Sequence, residues 1–198
     1  MARRPRADMI AETRASLIAA AREAFGTIGY AAASMDDLTA AAGLTRGALY
    51  HHFGDKKGLL AAVIDQIDAE MTVRLRAVSA RAQDRLTGFR DECAAYLAMA
   101  LEPEIQRIVL RDGPAVLGDP WNWPIQNDCI GMMTQGLSAL VEEGVLAPLD
   151  PEAVARLIVG ATQHAAQWIA HAPQPEAALQ AATEAFDAMF SGFLDKRA

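Results

Sequence analysis

At 198 residues, 52% hydrophobic and 22% charged, the chain has the balance of a soluble globular protein with room for one sizeable domain, or for a small one sharing a helix with a larger one. No apolar run reaches the roughly 18 residues of a membrane span. Arg3, Arg4 and Arg6 are not followed by the apolar stretch of a secretory leader. The expectation is therefore a cytoplasmic protein without a membrane partner, its Cys93 and Cys129 reduced. The net charge of −7 is unevenly divided: residues 1–85 carry 12 Lys+Arg against 10 Asp+Glu, hence +2, which leaves −9 for residues 86–198. A basic front and an acidic rear suit a protein that meets phosphate with one end only.

Alternating β-branched runs are absent, and the punctuation is that of helix ends, so the fold class is all-α. A first helix reads from about Glu12 to Thr27, with Leu17, Ala21, Ala24, Phe25 and Ile28 on one stripe, closed by Gly26 and Gly29. Ser34 stands as an N-cap with Asp37 three residues on, and starts a short helix ending near Ala41. Gly43 breaks it, and Thr45 caps the next, which runs to about His52. From Lys56 to about Arg81, Leu60, Val63, Ile64, Ile67, Met71, Leu75 and Val78 keep a 3–4 spacing, which makes a helix of roughly 40 Å at 1.5 Å per residue. Further helices are expected over about 85–101, 103–112, 120–143, 151–171 and 175–194. Pro120, Pro151 and Pro175 sit near the first turn of three of them, and Gly113-Pro114, Gly118 and Gly144 mark turns. The expected organisation is a three-helix N-terminal domain over residues 1–55, a helix of about 55–82 joining it, and a helical domain over residues 56–198.

Phe25 to Leu60 is the informative stretch. Two short helices, each begun by a hydroxyl cap and joined by Ala42-Gly43-Leu44, have the spacing of a helix-turn-helix whose second helix enters the major groove. That second helix offers small residues for close approach, Arg46, Tyr50 and His51 as donors, and Leu49 and Phe53 as inward anchors. Lys56 and Lys57 start the next helix, where free N–H groups already favour an anion. Arg3, Arg4 and Arg6 form either a minor-groove arm or a solvated tail. His51 and His52 point about 100° apart and cannot chelate one ion, so no metal is expected.

Phe25, Gly29-Tyr30, Ser34-Met35, Leu38, the run Ala42 to Phe53, Lys56 and Leu59 together resemble the DNA-binding signature of the TetR family of transcriptional regulators, over about a quarter of the chain. The resemblance implies a homodimer on a palindromic double-stranded operator, and a C-terminal lobe in which a small-molecule effector lowers DNA affinity, with repression as the default. It implies that Thr45, Arg46, Gly47, Ala48, Tyr50 and His51 face the groove and its phosphates, that Ser34 and Lys56 contact phosphate, and that Phe25, Leu38, Leu49 and Phe53 are core. Thr39 departs from the alanine usual in the family, and its hydroxyl is either a further phosphate contact or simply tolerated. Arg107 to Gly118 resembles a segment found in one branch of the family.

In the second lobe, Tyr96, Met99, Trp121, Trp123, Met132, Met133, Gln163, His164 and Trp168 are candidates to line an apolar pocket, or to be core or dimer contacts instead. Small-residue stripes on the last two helices, with Ala161, Ala165, Ala178, Ala182, Ala185 and Met189, read as a four-helix dimer interface. No catalytic residue and no cofactor is expected: Gly-x-Ser-x-Gly, a Walker-type loop, His-Glu-x-x-His and Cys-x-x-Cys are all absent from the sequence. The competing reading is a helical protein–protein interaction module whose helix-turn-helix binds no DNA.

Overall fold

The computed structural model describes residues 6–123 and 125–194. Arg3, Arg4 and the Arg6 side chain, expected as an arm or tail, lie outside the described residues. The described regular structure is helical, as the composition and periodicity imply: α1 (Arg6–Thr27), α2 (Met35–Ala41), α3 (Arg46–Phe53), α4 (Lys56–Ser79), α5 (Arg85–Met99), a π-helical segment (Ile105–Asp112), α6 (Gly113–Leu117), a 3₁₀ turn (Pro120–Asn122), α7 (Ile125–Glu142), α8 (Pro151–His171) and α9 (Pro175–Ser191). No described helix is long and apolar enough to cross a membrane. The described residues form two compact units, one within 6–67 and 107–118, the other within 68–106 and 119–194.

In the first unit the α1 stripe Leu17, Ala21 and Phe25 is fully buried, together with Leu38 of α2, Leu49 of α3 and Leu59, Leu60, Val63 and Ile64 of α4. The two short helices start where their hydroxyls satisfy free N–H groups. Ser34 Oγ accepts the Asp37 N–H at 3.0 Å and Thr45 Oγ1 accepts the Ala48 N–H at 3.3 Å. The turn between them needs Gly43 at φ +66°, which lets the Leu44 N–H reach back to the Thr39 carbonyl at 2.8 Å. Arg14 of α1 fastens the far end of α3: its Nη1 donates to the His52 carbonyl and its guanidinium stands 4.6 Å from the Phe53 ring centroid. Phe53 is accordingly half-buried rather than sealed in the core.

The segment expected as one helix over 103–112 is π-helical at Ile105–Asp112, and Gly113-Pro114, expected as a turn, instead opens α6 with Pro near its first position. The reason lies far away in sequence. Arg107 Nη1 donates to the Thr27 carbonyl at 2.7 Å, and Asp112 Oδ2 accepts the Tyr30 N–H at 2.9 Å. In an α-helix, residues five apart point roughly 140° from each other. An i→i+5 helix sets them one above the other, so Arg107 and Asp112 both reach the end of α1.

In the second unit α7, α8 and α9 pack in sequence, and α5 lies against α7, α8 and α9. Leu97, Leu137, Leu140, Ile158 and Phe190 are buried. Phe89 of α5 stacks on Phe190 of α9 at 5.3 Å, and Arg90 pairs with Asp187 beside it. Asp84 and Asp150 cap α5 and α8 by accepting N–H groups of Thr87 and Ala153. The stretch expected as one helix over 120–143 is a 3₁₀ turn followed by α7.

Candidate nucleic-acid interface and ligand cavity

With Leu49 turned fully inward, the opposite face of α3 is presented to solvent. Thr45, Arg46, Gly47, Tyr50 and His51 are exposed, Tyr50 by 52%, and Ala48 is partly so. This one helical surface carries a guanidinium, a phenol and an imidazole around two small residues, donors suited to phosphate and base edges. In the free protein the Arg46 guanidinium is held by Asp36 of α2 through Nη2–Oδ2 at 2.5 Å and a second contact from Nε to Oδ1. Asp36 itself was not singled out in the sequence. Only its spacing of ten residues from Arg46 across a helix-turn-helix turn could have signalled the pair.

The flanking residues are placed differently. Ser34 is exposed at the start of α2, with its hydroxyl donating to Asp37 Oδ2 at 2.6 Å while it caps the helix. Thr39 is a correction: it is 5% exposed and its hydroxyl donates to the Met35 and Asp36 carbonyls, so it is a satisfied interior group of α2 and leaves the DNA-facing set. At the start of α4 the Asp55 carboxylate accepts the Gly58 N–H at 2.7 Å, which already places an anion there. Lys56 Nζ stands 4.3 Å from the Tyr30 ring centroid. Its pKa is lowered by burial, against the opposing pull of Asp112.

The second unit holds a cavity of about 780 Å³. Its wall is built from stripes at 3–4 spacing on four helices: Thr72, Leu75, Arg76 and Ser79 of α4; Phe89, Glu92, Cys93 and Tyr96 of α5; Gln126, Cys129, Met132, Met133 and Gly136 of α7; Val159, Thr162 and Gln163 of α8. Of the residues expected to line a pocket, Tyr96, Met132, Met133 and Gln163 do so. Met99 is packed in the interior, Trp121 and Trp168 are exposed, Trp123 is off the wall, and His164, one residue past Gln163, turns out to solvent. Gln126 was missed, although its recurrence with Cys129, Met132 and Met133 marks one face of α7.

Burial keeps the cavity's acidic hydrogens in place. It raises the Tyr96 phenol, with Asp68 and Cys129 adding to the effect, and raises the Cys129 thiol. It pushes the Cys93 thiol up to about 12, with Glu92 contributing. Since only the thiolate is alkylated, iodoacetamide should label native Cys93 at pH 8 about a thousandfold more slowly than an unperturbed thiol, with the rate rising about tenfold per pH unit. Mass spectrometry of native against denatured protein would read this, and fast native labelling would show an ionised thiol.

The dimer candidates are divided between two faces. Ala178 and Ala182 are corrections: they are buried within the single chain, on the side of α9 that carries Phe186 and Phe190. Ala161 and Ala185 are exposed, while Ala165 and Met189 are half-buried. Ala161 belongs to an exposed α8 stripe of Leu157, Ala161, His164 and Trp168, on which Leu157 is 63% exposed.

Comparison with known proteins agrees with this geometry. Residues 17–63 match the family model described as bacterial regulatory proteins, tetR family, and residues 86–193 match that of the tetracyclin repressor-like C-terminal domain. A solved TetR-family transcriptional regulator from Pectobacterium atrosepticum is 54% identical, covers 98% of this chain and 99% of its own, and superposes with a TM-score of 0.89. The transposon Tn10 TetC protein of Escherichia coli is 29% identical over 161 residues, 78% of each chain. The HTH-type transcriptional regulator TtgR of Pseudomonas putida is 45% identical over 56 residues, 28% of this chain and 27% of that protein.

Proposed function

The chain belongs to the TetR family of transcriptional regulators, and from that premise we propose that it is a cytoplasmic repressor, homodimeric on a palindromic operator and released by a small, largely apolar effector. The observation that carries this reading is the outer face of α3, where Arg46, Tyr50 and His51 surround Gly47 and Ala48 while Leu49 anchors the helix inward. These are good partners for phosphate and base edges and poor ones for an apolar protein surface, which disfavours an interaction module that ignores DNA. The family's members are regulators, and no catalytic role is assigned to any residue. For the dimer, the exposed α8 stripe of Leu157, Ala161, His164 and Trp168, with Ala185 of α9, is the surface we assign to the partner helices.

Release follows from a population shift. The operator requires two recognition helices about one DNA turn apart, roughly 34–36 Å. Helix α4 lends its first half to the DNA-binding unit and Thr72, Leu75, Arg76 and Ser79 to the cavity wall. A ligand that binds better when α4 is displaced draws the dimer away from the operator-competent state, and by no more than that difference in affinity.

The test is fluorescence anisotropy of the purified protein on DNA tiled from upstream of its own gene, across a salt series. We expect saturable binding to one palindromic tile, well above random DNA. The log–log salt slope should be about −3.6 or steeper if four or more phosphates are neutralised per dimer. Tyr50→Ala should weaken binding about a hundredfold or more, the loss of roughly one charge-assisted contact of ~1.5 kcal/mol in each of two subunits. Weak, sequence-blind and salt-insensitive binding to every tile and to genome-wide fragments would defeat the reading.

A further inference from the structure

The Gln126 side chain lines the cavity at 4% exposure, and its amide is half satisfied. Its Oε1 accepts from Gln163 Nε2 at 2.8 Å, while its Nε2, sealed from solvent, has no hydrogen-bond partner among the described residues. An amide N–H left in this condition costs free energy that any acceptor reaching it recovers. Another buried polar group on the wall, the Thr162 hydroxyl, is already spent on the Ile158 and Val159 carbonyls. The charged lining residues do not supply a counter-ion for the interior. Arg85 is paired with Glu143, Asp84 caps α5, Arg76 lies exposed with Nη2 on Met132 Sδ, and Glu92 is partly exposed beside Cys93. What remains inward is Leu75, Phe89, Tyr96, Met133 and two thiols kept protonated by burial.

We infer that this cavity takes an uncharged, mainly apolar molecule of drug-like size that presents one carbonyl-type oxygen to Gln126 Nε2. The inference rests on reading the cavity as the effector site and adds the chemistry that site selects. Arg76 is exposed and Arg85 is paired with Glu143, so an anion that reached the buried Gln126 amide would exchange water for a neutral donor. A hydrocarbon would leave the Gln126 donor unanswered. The Gln163 bond excludes turning over Gln126 alone, which would set two NH₂ groups against each other. Turning both amides over together would offer the ligand an acceptor instead, and would select a hydroxyl.

Four naphthalenes of one size decide the matter by isothermal titration into the full chain: the uncharged ketone prodan, its alcohol, its alkyl analogue with the carbonyl replaced by methylene, and the corresponding carboxylate. We expect one site per chain, with the ketone about tenfold tighter than the alkyl analogue, the ratio set by one net hydrogen bond. The carboxylate should bind weakest. Gln126→Met, which keeps the bulk and removes the donor, should bring the ketone down to the alkyl analogue and leave the latter unchanged. A tighter alcohol or carboxylate, a ketone no better than the alkyl analogue, equal losses for both in Gln126→Met, or no saturable binding by any of the four would overturn the inference. If Gln126→Met does not fold, the four-way ranking on the parent protein decides alone. Operator release is scored separately. A ketone that binds as described without loosening DNA would defeat the effector reading and leave the ligand chemistry standing. A DNA-releasing compound indifferent to Gln126→Met would do the reverse.

Discussion

Replacing Gly29 by alanine should cost the DNA-binding unit about 2–3 kcal/mol, the sum of two separable penalties. The first is conformational: Gly29 ends α1 at φ +87°, where an L side chain pays roughly 1–2 kcal/mol. The second is steric. A Cβ here would lie 2.8 Å from Arg107 Nη2 and 3.1 Å from its Nε, so the guanidinium must shift, which strains its bond to the Thr27 carbonyl. A double-mutant cycle separates the two. In an Arg107→Ala background the cost of Gly29→Ala should fall to the backbone part alone, about 1–2 kcal/mol. Gly43→Ala gives an internal reference, since Gly43 has φ +66° and open space where its Cβ would stand, so it should show the conformational cost only. Urea midpoints of the four Gly29/Arg107 combinations would measure this. An unchanged Gly29→Ala cost without Arg107 would show that the guanidinium is not what fills the space. Because Gly29 sets the exit of α1 toward α2, the same substitution should lower operator affinity at temperatures where the unit is partly unfolded.

The contact that makes Gly29 sensitive was invisible in the sequence, for a physical reason. Local signals act over a few residues: the hydroxyl caps at Ser34 and Thr45, the glycine after Ala42, and proline at the first turn of α8 all announce themselves because cap and capped N–H are three residues apart. The π-helical turns at Ile105–Asp112 answer groups about 80 residues away, so nothing inside the segment states them. The same limit applies to faces. A 3.6-residue period says that a helix has an apolar stripe without saying what covers it. The alanines of α9 therefore looked alike, although Ala178 and Ala182 face Phe186 and the interior while Ala185 faces out. On α8, His164 and Trp168 lie on an exposed stripe, and Gln163 lies on the cavity wall. Thr39 shows the reverse difficulty: its hydroxyl looked available in sequence because the helix that consumes it, through the Met35 and Asp36 carbonyls, was assigned without its side-chain bonds.

Arg46→Ala should reduce affinity for the preferred operator by about 1–3 kcal/mol per half-site, the worth of a good contact to a base edge, and reduce affinity for random DNA far less. Asp36 determines how that residue behaves before DNA arrives. The Asp36–Arg46 pair is exposed on both sides, Asp36 by 67% and Arg46 by 55%, so its contribution to folding is about 0–1 kcal/mol and Asp36→Ala should leave the thermal midpoint nearly unchanged. Its effect belongs to recognition. A carboxylate beside the exposed face of α3 repels phosphate, and it holds the guanidinium fork in one orientation. Removing it should therefore tighten binding to every DNA while narrowing the gap between operator and random sequence, since the freed guanidinium settles on whichever phosphate is nearest. In the Arg46→Ala background the loss of discrimination from Asp36→Ala should vanish, because there is no fork left to orient, while the general gain from removing a negative charge remains. Anisotropy titrations on operator and scrambled duplexes at one fixed salt concentration, for the four combinations, give both quantities. Equal losses on the two duplexes for Arg46→Ala would remove Arg46 from sequence selection. A discrimination change from Asp36→Ala that persists without Arg46 would mean that Asp36 acts on DNA by its charge alone.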